Sequence, residues 1–346
     1  MKKRVLIMFF TGLLLSFVPF GLFSIEVDWV SGNVTYSHLK SEWQDLRVGM
    51  DLGTGDIIKT GMNSETTLLD DDIEIHIIEN TTFTISERFE EDGKKSSFML
   101  FLGRMKFKLA RASKKEPEIQ TQTVNLAIRG TEFEVGSGYD GSTLVLLSDG
   151  VVAVRGKTSE LVLEKGEGTE VPFGEEPTEK FKLVTRIINW DEWFAFSKEA
   201  VKGNELMFME KFLERFNEIN SQINNYEKIR AEAREKKEEY VLIRDELRKE
   251  GKHEEANEYA REANKHNKIE FHSLISIRSF ALSSLGLYDL AQEIYSGVEK
   301  PTKELKDTFE NVKQIYENIE NKYIVPGDRE MLEEKARKKR GCLKLF

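Results

Sequence analysis

Turn signals recur at short intervals through the first half of the chain, and their spacing admits short strands and little else. SGN (31–33), GTGD (53–56), GMNS (61–64), DDD (70–72), EDGKK (91–95), SGYDGS (137–142), SDG (148–150) and KGEG (165–168) punctuate it. Glycine, asparagine, aspartate and serine each stabilise turn backbone. Between the turns lie alternating or β-branched runs: Ile73 to Ile78, Phe83 to Ile85, Met105 to Leu109, Phe133 to Val135, Thr143 to Leu147 and Val151 to Val154. Many short strands with no helical stretch between them predict an antiparallel sandwich or roll.

The period then changes. Met209, Phe212, Phe216, Ile219, Ile223 and Tyr226 follow alternating spacings of three and four, the apolar face of a core helix. The expected fold class is therefore an antiparallel β sandwich or roll followed by a helical hairpin bundle. The 346 residues have room for two domains of about 150 each. GEEPTEK (174–180) reads as a linker, giving a β-domain over 25–180 and a helical domain over 186–334. Trp190, Trp193, Phe194 and Phe196 are expected to dock the helices on the sheet. Leu247–Ala263 and Leu282–Val298 align at an offset of 35, superimposing Gly251 on Gly286, Glu254 on Asp289 and Ala256 on Ala291. That pattern is similar to tetratricopeptide hairpins, with glycine at a helix turn; an ordinary helical bundle is the other reading.

Charge separates the same two parts: net −12 over residues 25–180 and net −1 from 181 to the end. An acidic first half and interleaved charges beyond it provide no basic stripe for a phosphate backbone, so no nucleic-acid partner is expected. Lys2, Lys3 and Arg4 precede an apolar run from Val5 to Phe23. This has the form of an export leader, residues 1–24, cleaved after Ser24 or retained as an anchor. The expected location is the periplasm or cell envelope. Cys342 is the single cysteine, so no internal disulfide is available to an exported chain. It sits in a basic tail, 335–346, with Lys335, Arg337, Lys338, Lys339, Arg340 and Lys344 ahead of or among Leu343, Leu345 and Phe346. The tail reads either as a solvated terminus or as a weak membrane or partner contact.

One line stands out as a motif. In TQTVNLAIRGTEFEV, Thr121 lies eight residues before Arg129, Gly130 and Thr131, with Phe133 and Val135 following. It resembles the most characteristic line of the FecR-type domain family, with Gln122 where the family has proline. Other family landmarks follow in order: Gly32 and Val34; Leu52, Gly55, Asp56, Ile58, Thr60 and Gly61; Gly103; the SDG turn; and Gly166. The resemblance covers about residues 27–172 and implies a periplasmic β-module that meets a protein partner. Founding members of the family also regulate a sigma factor through a cytoplasmic segment. Only four residues precede the apolar run, so that role is not expected to carry over.

Arg129 is the most conspicuous side chain of the motif. Five fixed donors suit it to tying buried carbonyls together beside a turning Gly130, which is the structural reading; an anionic ligand is the alternative. Asp56 reads as a turn cap. Asp70, Asp71, Asp72 and Glu74 lack calcium-loop spacing, and His38, His76, His253, His266 and His272 show no zincin-type spacing. His76, between Ile75 and Ile77, is expected to face outward. With no nucleophile elbow and no phosphate loop, no catalytic residue, cofactor or metal is assigned. The expected function is a non-catalytic envelope binding or scaffolding protein with its helical half as adaptor. An envelope polysaccharide or cell-wall enzyme, built on a carboxylate pair that spacing does not reveal, is the alternative.

Overall fold

The computed structural model describes residues 24–39, 41–90, 93–113 and 116–324, with the backbone alone for 88–90 and 93–95. The leader and the basic tail with Cys342 lie outside the described residues. Among the described residues fifteen strands come first: β1 (Ser24–Ser31), β2 (Val34–His38), β3 (Gln44–Asp45), β4 (Asp51–Gly53), β5 (Asp56–Thr60), β6 (Glu65–Asp70), β7 (Ile73–Ile77), β8 (Thr82–Glu90), β9 (Gly93–Leu109), β10 (Glu118–Gln120), β11 (Asn125–Ser137), β12 (Thr143–Arg155), β13 (Glu160–Glu164), β14 (Glu167–Val171) and β15 (Phe181–Lys182). Four helices follow: α1 (Trp190–Val201), α2 (Glu205–Lys249), α3 (His253–Ser296) and α4 (Lys303–Ile319), the last running into a π-turn at Glu320–Ile324.

The strands form one rolled sheet. Its main path is β15-β14-β12-β11-β10-β9-β7-β6-β1-β4, and a branch runs from β9 through β8, β5 and β2 to β3. The roll depends on β9, whose first part pairs with β8 and whose second part pairs with β7 and β11. The change of partner falls at Gly103, where φ is +96°, a backbone that side chains with a Cβ rarely adopt. The pairings are antiparallel except that of β10 with β9. Inward residues alternate with outward ones as the pleat requires: Ile73, Ile75 and Ile77 are buried while Glu74 and His76 face out. They join Phe83, Phe98, Phe107, Phe133, Val135 and Val152 in one core.

Helix α1 begins at Asn189, whose side chain accepts from the Asp191 and Glu192 amides at 3.2 and 3.4 Å. It lies on the sheet. Trp193 Nε1 donates to Glu170 Oε1 at 2.7 Å, Tyr139 N donates to Ser197 Oγ at 3.1 Å, and Trp193 covers Leu144 and Leu146. Gly136 leaves the space that Trp190 occupies. Helix α1, inside the helical domain expected from residue 186, thus packs on the outer face of β11, β12 and β14.

Helices α2 and α3 form a long antiparallel hairpin closed at Gly251 (φ +78°). Of the expected seam, Met209, Phe212, Phe216, Ile219 and Ile223 are buried and Tyr226 is partly so. α4 packs across it through Tyr288 on Tyr316 (4.0 Å between ring centroids) and Tyr295 on Phe309 (4.1 Å). The second repeat glycine marks no turn. Gly286 lies well inside α3, where a Cβ would overlap Phe101 of β9. The pattern read as a repeated hairpin turn is one close approach of helix to sheet and one true turn.

That approach joins the two halves. Leu39, Ile57, Met99, Phe101 and Phe173 of the β part share a core with Phe212, Leu282 and Leu285 of the helices. Ser86 and Ser279 hydroxyls lie 3.4 Å apart, and Lys211 Nζ donates to the Phe173 carbonyl at 3.0 Å. Farther out the hairpin changes character. Beyond Ile223, α2 buries Ala233 alone, and before Ser273, α3 buries Ala256 and Ala263. Residues 227–249 and their partners in α3 thus make a solvated two-helix arm about 35 Å long at 1.5 Å per residue.

Candidate functional site

The motif residues fall at three separate places in the β part. Asp56 closes the turn before β5: its Oδ2 accepts from Gly53 N at 2.7 Å and its Oδ1 lies 2.7 Å from His38 Nδ1. Gly55 supplies the left-handed backbone of that turn, with φ +96°. At the other end of β5, Thr60 Oγ1 donates to the Ile78 carbonyl (2.6 Å) and accepts from Thr81 N (2.9 Å), and Gly61 N donates to the Asn33 carbonyl (2.9 Å). Thr121 closes the turn between β10 and β11, accepting from the amides of Thr123 (3.2 Å) and Val124 (3.1 Å), with its hydroxyl 2.7 Å from that of Thr143. Each of these side chains bonds backbone, and Asp56 and Thr121 each meet a second side chain besides.

The Arg129–Val135 segment is the third place. Register slips between Arg129 and Phe133, at Gly130, whose φ is +55°. One extra residue reverses strand parity. Leu126 and Ile128 point inward ahead of the bulge, and Thr131, Phe133 and Val135 after it. A second bulge glycine, Gly150 (φ +89°), faces it across β12, and a Cβ there would overlap the Gly130 carbonyl. Phe133 then packs on Phe107 with centroids 5.5 Å apart.

Arg129 does not tie this region together. Alternation from Ile128 turns it out to solvent, and it makes no hydrogen bond or ion pair among the described residues. The keystone is Gly130. The arginine that clasps this corner is Arg111, which the sequence reading missed: its Nε donates to Asp149 Oδ2 at 3.1 Å and its Nη2 to the same oxygen. Lys165 adds a contact of 3.3 Å to Oδ1, and Arg111 before Lys165 holds the Asp149 carboxyl below its usual range. The SDG turn places the aspartate, but nothing local marks Arg111, 38 residues earlier, as its partner. Arg129→Ala is expected to shift unfolding by less than about 0.5 kcal/mol, as at a solvated surface position. Gly130→Ala, forced into left-handed backbone, is expected to cost about 1–2 kcal/mol. Denaturant melts of the two variants check the pair.

A buried carboxylate holds the neighbouring corner. Glu167 accepts from Lys182 Nζ (2.6 Å), Glu164 N (2.9 Å) and Lys180 Nζ (2.9 Å), with Lys182 the largest of the influences that bring its pKa down to about 2. A depressed carboxylate stabilises the fold above the free value of 4.5, and that contribution is lost as pH falls from there toward 2. Glu167→Gln is expected to lower Tm at pH 7, with the gap from the parent closing between pH 4.5 and 2. Thermal melts across that range check it.

Two carboxylates of the β part, Asp140 and Glu170, influence each other electrostatically. Burial pushes the Asp140 carboxyl up, against bonds from Ser142 N (3.0 Å) and Oγ (2.5 Å) and with a contribution from Glu170. Glu170, however, is engaged by Trp193 Nε1 and lies 3.5 Å from Arg186. Glu170 thus serves the α1 docking surface, while Asp140 is held by Ser142 within its own turn. Among the described residues no three His, Cys, Asp or Glu side chains are placed to hold a metal ion. His76 faces outward, as expected, 2.9 Å from Glu65 and against the Trp29 ring. No described helix is long and apolar enough to cross a membrane. Between the halves, a groove of about 1030 Å³ follows α2, where Lys157 reaches Glu214 (3.2 Å) and Glu218 (2.6 Å).

The class defined by these features is a rolled β-module, with its motif residues used for turns, carrying a helical hairpin. The family model described as FecR protein matches residues 56–153, so a FecR-type domain lies in the β part. No curated protein matches the chain. Two crystal structures of a proposed anti-sigma factor from Parabacteroides distasonis are similar to it, with TM-scores of 0.32 and 0.31 and identities of 19% and 18%. Each alignment covers 36% of this chain and 59% of the other.

Proposed function

We propose that this chain is a non-catalytic binding or scaffolding protein of the cell envelope, with the FecR-type β-module as its base and the helical half as its adaptor for a protein partner. The observation that carries the reading is the arm. A hairpin of 45- and 44-residue helices is clamped to the sheet near one end and extends about 35 Å into solvent at the other. Core packing uses only the clamped end, so the fold does not need the rest. The arm presents Leu242, Ile229 and Ile269 on its surface. Tyr240 lies against Tyr259 and His266, and Glu270 is bridged by Arg234 at 2.8 Å and by Lys237. Such a surface, polar with isolated apolar anchors, suits a reversible protein contact.

The test is cross-linking and co-purification from envelope fractions with residues 25–346, beside a variant in which residues 230–269 are replaced by a short turn. A partner held by the full chain and lost by the shortened one supports the reading, provided the two melt alike. Equal retention by both sinks the adaptor role. Protease protection of the chain in intact cells, lost on opening the outer compartment, tests the envelope location.

A further inference from the structure

We propose that the basic tail of the chain, residues 335–346, docks within its own molecule on the outer face of the arm, around Leu242. Leu242 is 67% exposed. At about 100° per residue it lies about 200° round α2 from Tyr240, which meets Tyr259 and His266 of α3, so it faces away from the partner helix. Side chains three and four residues away are its neighbours on the helix surface. All four are acidic: Glu238, Glu239, Asp245 and Glu246. Asp245 is bridged by Arg244 at 2.8 Å, while Glu238, Glu239 and Glu246 are exposed and make no side-chain ion pair or hydrogen bond among the described residues. Along that line of the helix the next cation, Lys249, is two turns on. A leucine open to water inside a ring of carboxylates is complementary to a cationic segment with apolar side chains.

Two observations select the chain's own tail as the occupant. Its composition matches, with Lys335, Arg337, Lys338, Lys339, Arg340 and Lys344 ahead of or among Leu343, Leu345 and Phe346. Its point of departure also lies on this side of the arm. The described chain ends at buried Ile324, and Lys322 Nζ is 3.6 Å from Glu227 Oε1 at the base of the arm. From Glu227 to Leu242 is about 22 Å along α2 and about 60° in direction. Residues 325–334 span up to about 33 Å when extended, so the cations from Lys335 onward can reach the ring. Each solvated ion pair contributes little by itself. A short tether, however, holds the tail at roughly millimolar effective concentration, where a weak contact suffices. The groove farther down α2 is also within reach, but its Glu214 and Glu218 are already bridged by Lys157 and Arg215. The contact does not depend on the adaptor reading; where a partner uses the arm, tail and partner compete for its distal face.

Photocross-linking of the chain over residues 25–346 tests the contact. Cys342 is the single cysteine and takes a benzophenone maleimide without any further substitution. Irradiation at low salt is expected to join it to residues 231–249 of the same chain, the sites being read by mass spectrometry of the monomer band. The yield is expected to fall at least fivefold in the triple variant Glu238→Lys, Glu239→Lys, Glu246→Lys. These positions are solvated, so its Tm is expected to stay close to the parent's. Reversing the tail instead, through Arg337→Glu, Lys338→Glu, Lys339→Glu and Arg340→Glu together, is expected to give a similar loss. Combining the two reversals is expected to restore most of the yield, which a merely structural effect of either would not do. Four results would overturn the proposal: cross-links centred outside residues 231–249, cross-links found only between two chains, a yield that either reversal leaves unchanged, or a combined variant no better than the single reversals.

Discussion

Residues 25–180 produced alone are expected to aggregate. The fragment would carry five large side chains, Leu39, Ile57, Met99, Phe101 and Phe173, whose shared core is built with α2 and α3. It would also uncover Leu144 and Leu146, which lie beneath Trp193. Burying one such side chain contributes roughly 1.5–3 kcal/mol, so the loss is comparable with the whole stability of a domain at about 5–15 kcal/mol. A net charge of −12 opposes association but does not remove the apolar patch. Extending the fragment to residue 203 restores α1 over Leu144 and leaves the Met99 and Phe101 surface open, so partial rescue is expected. Light scattering and thermal melting of the two fragments beside residues 25–324 check this. A monomeric, cooperatively melting 25–180 fragment would show that the β part folds without its helices, as its sequence alone suggests.

Gly286→Ala is expected to destabilise the protein, against the usual sign for a helix interior. In a solvated helix the change gains about 1 kcal/mol, because alanine is the better helix former. Here the new Cβ would overlap the Cγ, Cδ1 and Cβ atoms of Phe101, which stand at the root of that side chain and cannot swing away. β9 is paired with β8 on either side of Phe101, Leu100 with Phe83 and Leu102 with Thr82, which limits how far the strand can retreat. Overpacking of this kind costs about 1–3 kcal/mol, and Gly286→Leu is expected to exceed it. At about 2–4 °C per kcal/mol the fall in Tm is readily measured. Phe101→Ala is expected to cost about 3–5 kcal/mol alone. The double variant Phe101→Ala with Gly286→Ala should lose less than the sum, since the two changes share one space. A higher Tm for Gly286→Ala would mean that the helix does not meet the sheet there.

Much of the architecture could be read along the chain, because its signals are local. Turn residues at close spacing marked the strands, the three-and-four spacing from Met209 marked the buried face of α2, and the alternation around His76 placed it outside. The FecR-type motif was equally legible, and a family match over residues 56–153 supports it. Its chemistry was not. Arg129 drew attention as the conspicuous side chain, while the feature that shapes β11 is the glycine beside it, which has no side chain to notice.

The sequence by itself determined which segments become strands and which become helices, since hydrophobic period and turn chemistry act over a few residues. It also located the Gly251 turn, where a left-handed residue ends one helix and begins the next. Tertiary structure alone decided what the second glycine does. Gly251 and Gly286 look alike in sequence, yet one bends the chain and the other lets α3 approach Phe101, about 185 residues earlier. It likewise decided that Arg111 and not Arg129 meets Asp149, that α1 packs on the sheet, and that Lys59 of β5 meets Asp289 of α3. These are contacts between residues far apart in the chain, set by the path of β9 and the packing of α3, and no local period encodes them.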